Sequence, residues 1–352
     1  MTDVRLARQP AFLEVGTNLA PSFLTILRIQ HLQPKRILFL ADPTTFAIGG
    51  DALIRALRRT GIHVCRVKVE NSKEKTVNRI MSRIRLCRAG LVIGYGGGKV
   101  LDVAKLAAGR ARTKFLSFPT ILSNDGIASP VAIIKDDEGI PVSHLTRPPW
   151  GVIVDIGVVR RAPIRHLRAG IGDLVSNLSS VYDARLAKRR GAGHVDDYAL
   201  SLAEAGPALL IDLGKGGIKH PEFLMKLTEG LAQSGLAMGI AGSSQPASGS
   251  EHKISHSLDR FLPRARNLHG EQVGIACLFT MALQGNRYLD RVRRFYRRIG
   301  FPQRLSYLGL SPDMFVRVVQ DAPRMRPERY TILEERVLTD KDILKTVKAL
   351  KL

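Results

Sequence analysis

The stretch Gly90-Leu-Val-Ile-Gly-Tyr-Gly-Gly-Gly-Lys-Val-Leu-Asp-Val-Ala-Lys105 joins an apolar run to a helical one through a cluster of glycines. Residues 90–94 read as a short buried strand and residues 100–110 as a helix, so the glycines fall on the turn between them. Glycine at such a turn lets backbone approach a ligand closely, and the helix N-terminus offers unpaired N–H groups with a partial positive charge. The run is neither the G-x-G-x-x-G fingerprint nor a P-loop, since no Ser or Thr follows Lys99. A phosphate cradle and a merely tight turn both satisfy it.

Outward from this turn, short strands and helices alternate. Residues 36–41, 63–69, 114–119, 131–135 and 152–155 read as strands, and 50–60 and 75–88 as helices. Alternation of this kind predicts a parallel sheet covered by helices. Beyond about Pro163 the strand signals stop and helical periodicity takes over, over 173–188, 196–213, 221–239 and 270–286. The expected architecture is an N-terminal α/β, Rossmann-like domain (1–165) followed by an all-α domain (166–352), with a small-ligand site expected between them.

Composition bounds the function classes. The chain of 352 residues, 45% hydrophobic and 24% charged, has the make-up of an ordinary globular protein. Its beginning, Met1-Thr-Asp-Val-Arg5, lacks the pattern of a secretion signal, and no stretch approaches the roughly 20 apolar residues of a membrane span. Cys65, Cys87 and Cys277 are scattered and odd in number, which predicts buried thiols in a reducing compartment. A cytoplasmic enzyme without stable membrane insertion is the expectation. The formal net charge of +23 attracts anions, whether nucleic acid, anionic lipid or phosphorylated metabolites. The densest basic run, residues 287–300, spaces Leu289, Val292, Phe295, Tyr296 and Ile299 as one helical face. It reads as a packed helix with a solvated basic side, and no nucleic-acid-binding motif supports another use.

Three further segments bear polar groups in patterns suited to chemistry. Ser248-Gly-Ser-Glu-His-Lys-Ile-Ser-His-Ser-Leu-Asp259 puts His252 and His256 four residues apart, on one helical face, and His269 stands just before an apolar helix. Two or three imidazoles with a carboxylate are a usual site for a divalent ion, although histidines so spaced are also common as structural residues. Gly170-Ile-Gly-Asp-Leu-Val-Ser-Asn177 places Asp173 in a helix, where a cap is the alternative to a ligand. The loop Ser117-Phe-Pro-Thr-Ile-Leu-Ser-Asn-Asp-Gly-Ile-Ala-Ser-Pro130 is long, polar and placed after a strand.

In order and spacing, these four segments and Leu268-His-Gly-Glu-Gln-Val-Gly274, which carries His269, resemble those of the sn-glycerol-1-phosphate dehydrogenases, within the group that contains iron-containing alcohol dehydrogenases, glycerol dehydrogenases and dehydroquinate synthases. The likeness runs from about Phe12 to Glu334. It implies a dehydroquinate synthase-like fold and NAD(P)H-dependent reduction of dihydroxyacetone phosphate to sn-glycerol 1-phosphate, the backbone of archaeal-type ether phospholipids. It also implies one divalent metal, usually zinc, on Asp173, His252 and His269. Gly97, Gly98, Lys99, Val100 and Asp102, with Thr120, Ser123 and Ser129, match cofactor contacts. Asp125 and His256 match substrate-side and catalytic positions, Asp173 also touching substrate. Asp42, after the strand 36–41, is placed to accept hydrogen bonds from the adenine ribose and to repel a 2′-phosphate. Lys253 is a candidate for the substrate phosphate. A homo-oligomer binding a small phosphorylated substrate is expected, with no nucleic-acid partner. Ala184, where the family commonly has Trp, departs from the pattern behind the proposed metal site. A metal-dependent polyol dehydrogenase and a nucleic-acid or membrane-surface protein on the same fold are the alternatives.

Overall fold

A computed structural model describes residues 10–213, 217–263, 266–335 and 337–352. The Met1 to Arg5 reading lies outside the described residues. The chain divides into two compact units, Met1–Pro163 and Ile164–Leu352.

The first unit contains the strands β1 (Phe12–Gly16), β2 (Arg36–Ala41), β3 (His63–Lys68), β4 (Leu91–Gly96), β5 (Lys114–Pro119), β6 (Val131–Lys135), β7 (Pro141–Leu145) and β8 (Gly151–Asp155). Between them run α1 (Phe23–Ile29), the single turn α2 (Pro43–Thr45), α3 (Asp51–Arg59), α4 (Glu74–Leu86), α5 (Gly98–Arg110) and α6 (Ile156–Val159). Six strands pair in parallel in the order β1-β8-β5-β4-β2-β3, and β6 and β7 form a separate antiparallel hairpin. The β2 and β4 strands are buried along nearly their whole length, as strands covered on both faces must be. The chain leaves β2 for β3 on one side and returns past β2 to β4 on the other, so the sheet's topological switch point lies between β2 and β4. In open α/β sheets that is where ligands bind, at the carboxyl ends of the strands. Two strands escaped the sequence reading. β7 is mostly exposed and carries no apolar run, and β1 is short, with Glu14 at its centre.

The second unit is built from α7 (Ile164–Arg189), α8 (Asp197–Asp212), α9 (Pro221–Ala241), α10 (Ser250–Phe261), α11 (His269–Gln284), α12 (Leu289–Ile299), α13 (Pro312–Asp321), α14 (Ile332–Glu335) and α15 (Asp340–Leu350). Its central helices α7 and α11 are buried over most of their length. They touch through glycine. A Cβ on Gly172 would stand 2.1 Å from the Gly270 carbonyl oxygen, and one on Gly270 would stand 1.8 Å from the Ala169 oxygen. On Gly274 it would lie 3.0 Å from the Gly172 Cα. No side chain fits this crossing, so the two backbones meet directly.

The basic run becomes α12, which buries Val292, Phe295, Tyr296 and Ile299 as its spacing predicts. Several of its arginines are engaged by neighbouring helices. Arg287 pairs with Glu204 at 2.9 Å and Arg291 with Asp212, while Arg298 donates to the Leu213 carbonyl at 2.6 Å. These contacts support the packed-helix reading over a nucleic-acid surface.

The cysteine reading needs correction. Cys65 on β3 and Cys87 just beyond α4 are half-buried and joined as a disulfide, with Cα atoms 6.7 Å apart. Only Cys277 is a buried free thiol, its pKa raised by burial. A separation of 22 residues hid the pair, because the turn of chain through α4 returns Cys87 beside β3. The cysteines therefore no longer argue for a reducing compartment. No helix among the described residues is long and apolar enough to cross a membrane.

Replacing Gly172 with alanine tests the crossing. Its methyl must displace backbone, so Gly172→Ala is expected to cost about 3 kcal/mol or more in denaturant unfolding. Retention of wild-type stability would show that α7 and α11 part without penalty.

Candidate functional site

Side chains able to ligate a metal converge where α7, α10 and α11 meet. Asp173 follows Gly172 on α7, and His269 precedes Gly270 at the start of α11, so the glycine contact carries both to one place. His252 comes from the first turn of α10. One donor atom from each of Asp173, His252 and His269 lies within 4.8 Å of the others. His269 Nε2 is 3.8 Å from Asp173 Oδ1, and the His252 and His269 ring centroids are 4.9 Å apart.

This donor set fits a divalent ion. Donors bound at about 2.0–2.2 Å on a tetrahedral ion stand roughly 3.4 Å apart, a short closure from the 3.8 Å between His269 and Asp173, and two imidazoles with one carboxylate are usual zinc ligands. The rings are also held for that purpose. Glu251 Oε1 sits 2.8 Å from His252 Nδ1, which leaves Nε2 as the donor. Ser255 donates to Gln272 Oε1 at 2.7 Å, so its oxygen is available to accept from His269 Nδ1 at 3.3 Å. Support of this kind sets tautomer and ring direction. Burial, and then the charges of Arg326 and Arg329, push the His252 pKa down to about 3, so its imidazole is neutral and able to ligate. Burial and the His252 neighbour lower His269 in the same sense, though its side chain is still 37% exposed.

Behind the ligands lies a buried polar layer that sequence reasoning missed. Asp183 accepts from the Ser250 N–H at 2.8 Å, the Ile332 N–H at 2.9 Å and Gln284 Nε2 at 3.0 Å. It thereby ties α7 to the starts of α10 and α14. Burial, and then the Glu251 charge, raise its pKa to about 7, and burial raises that of Glu251 to about 6. Ala184, the departure from the family pattern, packs into a neighbouring apolar cluster with Val181 and Ala237.

His256 stands one turn beyond His252, half-buried, with its ring centroid 6.3 Å from that of His269. Lys253, the candidate for the substrate phosphate, is instead fully buried. Its Nζ donates to Glu334 Oε1 at 2.6 Å and to the Arg329 carbonyl at 2.8 Å. One step along a helix is about 100°, which turns Lys253 off the face that carries His252 and His256 and into the core.

In the first unit Asp42 follows β2 and Gly97, Gly98 and Lys99 follow β4, the two strands that flank the switch point. Gly97 and Gly98 begin α5, whose N-terminus has no side-chain cap. A Cβ on Gly97 would meet Ile121 at 2.7 Å, whereas one on Gly98 would find only Asn124 Nδ2, at 3.6 Å. Backbone N–H groups are thus presented without a covering side chain, which suits a phosphate. Lys99 is exposed beside them, and Val100 is buried underneath, packed against Gly96. The Lys99 ammonium lies 3.3 Å from Asp42 Oδ2. Asp42 caps α2 by accepting from the Thr45 N–H at 2.9 Å. Burial raises its pKa, but the hydrogen bonds from Thr45 and Lys99 outweigh that and the net shift is downward.

The polar loop after β5 is stapled to α5 from below. Lys105 is buried, and its ammonium donates to the carbonyls of Gly126 at 2.7 Å and Val131 at 2.6 Å, and faces Asp102 Oδ1 at 3.4 Å. Burial works against both charges, raising the Asp102 pKa and lowering that of Lys105, and their mutual attraction offsets it. Asp102 is therefore a buried partner of Lys105 one turn into the helix. Thr120 and Ser129 are buried at the two ends of the loop, and Ser123 and Asp125 are half-buried between them. Lys105 appeared in the quoted motif but carried no signal, because a lysine on a helix is usually a solvated one.

Comparisons with known proteins identify the family and the fold. Residues 15–163 match the family model described as iron-containing alcohol dehydrogenase. A probable glycerol dehydrogenase from Sinorhizobium meliloti 1021 shares the fold, with a TM-score of 0.76 at 22% identity over 99% of this chain and 98% of that one. The glycerol-1-phosphate dehydrogenase [NAD(P)+] of Thermococcus sibiricus is 38% identical over 317 residues, covering 89% of each chain. That of Thermofilum pendens is 38% identical over 314 residues, covering 87% of each. The chain belongs to the glycerol-1-phosphate dehydrogenase family.

The supporting carboxylate provides a test of the site. Glu251→Ala is expected to weaken divalent-ion affinity about 10- to 100-fold, by losing control of the His252 ring. Titration of the demetallated variant with zinc, followed by calorimetry, measures this, and unchanged affinity would show that Glu251 does not set that ring.

Proposed function

We propose that the protein reduces dihydroxyacetone phosphate to sn-glycerol 1-phosphate with NADH or NADPH, using one divalent ion per chain, zinc by its donor set. The convergence of Asp173, His252 and His269 on one point, in a chain of this family, is the observation that carries the reading. When bound, the dinucleotide supplies hydride and the ion supplies Lewis acidity at the oxygen that gains negative charge.

The chain's own residues do the rest. Glu251 and Ser255 hold His252 and His269 in direction, so that little reorganisation is needed as charge develops. His256, on the same face of α10 as His252, is assigned to the substrate and to the proton that reaches the new hydroxyl. Asp125 is assigned to the substrate by its motif, and Lys105 holds its loop in place. The α5 N-terminus, with Gly97, Gly98 and Lys99, is assigned to the dinucleotide phosphates, and Thr120, Ser123 and Ser129 to further cofactor contacts. A cytoplasmic setting follows from dependence on NAD(P)H, and the product is the backbone of archaeal-type ether phospholipids.

Asp42 and Lys99 together account for use of both dinucleotides. The carboxylate favours ribose hydroxyls and repels a 2′-phosphate, while the adjacent ammonium softens the repulsion. Asp42→Ala is therefore expected to raise the NADPH to NADH ratio of kcat/KM by about tenfold, the worth of roughly 1.4 kcal/mol. A ratio that does not move would remove Asp42 from the ribose site.

The reading as a whole is tested on two ketones. Dihydroxyacetone phosphate is expected to exceed dihydroxyacetone in kcat/KM by about 100-fold or more, because remote binding energy at the phosphate orients the carbonyl. Rising ionic strength should reduce the advantage by screening the positive field. His269→Ala should lose bound metal and turnover together. Equal kcat/KM for the two ketones at low salt would favour a polyol dehydrogenase instead.

A further inference from the structure

We propose that the amino edge of the six-stranded sheet is a docking surface for an anionic lipid bilayer. This surface is independent of the substrate assigned above. All six strands run in one direction and begin at one edge, with Arg36 beside His63, Leu91 beside Lys114 and Phe12 beside Gly151. The helices α3, α4 and α5 end there too, because each returns the chain to the start of the next strand. Four segments far apart in sequence are thereby gathered. They are Arg28-Ile-Gln-His-Leu-Gln-Pro-Lys-Arg36, Arg58-Arg-Thr-Gly-Ile-His63, Arg83-Ile-Arg-Leu-Cys-Arg88 and Arg110-Ala-Arg-Thr-Lys114.

None of these segments contains an aspartate or a glutamate. Carboxylates of the unit stand elsewhere, Asp42 and Asp155 at the carboxyl ends of β2 and β8, and Asp51 and Glu74 at the starts of α3 and α4. Among the described residues, two carboxylates reach the gathered segments. Glu74 pairs with Arg110, and Glu14 lies 3.5 Å from the Gln30 amide. Arg36, Arg59, Arg85, Arg88, Arg112 and Lys114 are exposed and make no ion pair among the described residues. A cation in the last turn of a helix complements its dipole, which accounts for Arg59 and Arg85. Arg88 and Arg112 lie past their helices, in left-handed backbone with φ 46° and 53°, where glycine is usual. Arginine is placed there against backbone preference.

Apolar side chains are interleaved with the cations. Leu86, the last residue of α4, is 74% exposed, Ile29, the last of α1, is 64% exposed, and Trp150, just before β8, is 39% exposed. Lys114 Nζ lies 3.9 Å from the centre of the Trp150 ring. This mixture selects the partner. Nucleic acid uses the cations but leaves Leu86 and Ile29 without a role. A second copy docked through the same edge brings like charges face to face. An anionic bilayer answers both components, since its headgroups attract arginine and lysine, tryptophan sits at headgroup level, and leucine and isoleucine enter the acyl boundary.

Docking of this kind leaves the dinucleotide cradle free. Gly97 and Gly98 stand at the other end of α5 from Arg110, and a helix of 13 residues is about 19 Å long. The contact is peripheral, because no helix among the described residues is long and apolar enough to cross a membrane. Attachment is carried by charge and shallow insertion, so it is reversible and weakened by salt.

The test uses the zinc-loaded enzyme and vesicles of phosphatidylcholine, alone or with about one-third phosphatidylglycerol. Trp150 is the one tryptophan of the chain, so its emission reports this surface. Co-sedimentation with the anionic vesicles and a blue shift of that emission are expected, with neither on neutral vesicles and with both lost as salt rises. Arg88→Glu combined with Arg112→Glu should weaken partitioning about 100-fold and leave kcat/KM for dihydroxyacetone phosphate unchanged. Leu86→Ser should weaken it about tenfold with the salt dependence kept. The matched reversal Arg294→Glu with Arg297→Glu, on α12, controls for net charge and should change partitioning by less than about threefold. An equal loss in that control overturns the proposal by assigning the binding to overall charge. Absence of binding to anionic vesicles overturns it, and so does co-sedimentation with no shift in Trp150 emission. Tighter binding to a DNA duplex than to the vesicles at the same salt, lost in the Arg88→Glu and Arg112→Glu variant, overturns it in favour of nucleic acid.

Discussion

The contact between Gly172 and Gly270 is the constraint on which the candidate metal site depends. Two buried helices cross so closely that a Cβ at either position would strike backbone, and the residues next to those glycines are Asp173 and His269. These candidate ligands are neighbours because the backbones touch. Side chains as short as aspartate and histidine reach a common ion only when their helices approach within a few ångströms, and glycine is the residue that permits it. Packing of α7 on α11 therefore serves the core and the chemistry at once.

Around this contact, buried charge is arranged in pairs and in layers. Asp183 gathers N–H groups from two other elements, Glu251 fixes an imidazole, and Lys253 with Glu334 clamps the segment that carries Arg329. Each of these groups would be costly if buried alone, and each is matched by a donor or acceptor that it positions. The strongly basic composition thus has more than one use. Arginines of the basic run 287–300 fasten helices together, whereas Arg326 and Arg329 converge on the Ser244 hydroxyl.

The α/β unit follows a similar economy. Lys105 spends its charge on two loop carbonyls and Asp102, which ties the polar loop after β5 to the helix that begins with the glycines. At the other end of that helix, Lys99 meets Asp42 across the switch point of the sheet. The same helix thus holds the loop from below and offers its N-terminus above.

Much of this was legible in one dimension. Strand and helix periods, the glycine turn at residues 94–98 and the change to helical pattern near Pro163 determine an α/β unit followed by a helical one, because those signals are local. Motif order determined the family and pointed to Asp173, His252 and His269 as the candidate ligands whose donor atoms the fold brings together. Other features were decided only in three dimensions. The Cys65–Cys87 pairing, the burial of Lys253, the Asp42–Lys99 pair and the convergence of Arg326 with Arg329 on Ser244 join residues by spatial position. A lysine beside a ligand and a lysine in the core look alike in sequence, since helical rotation and burial separate them. Periodicity reports which face of an element is apolar, but only tertiary packing decides which charges share a dry space and must therefore answer one another.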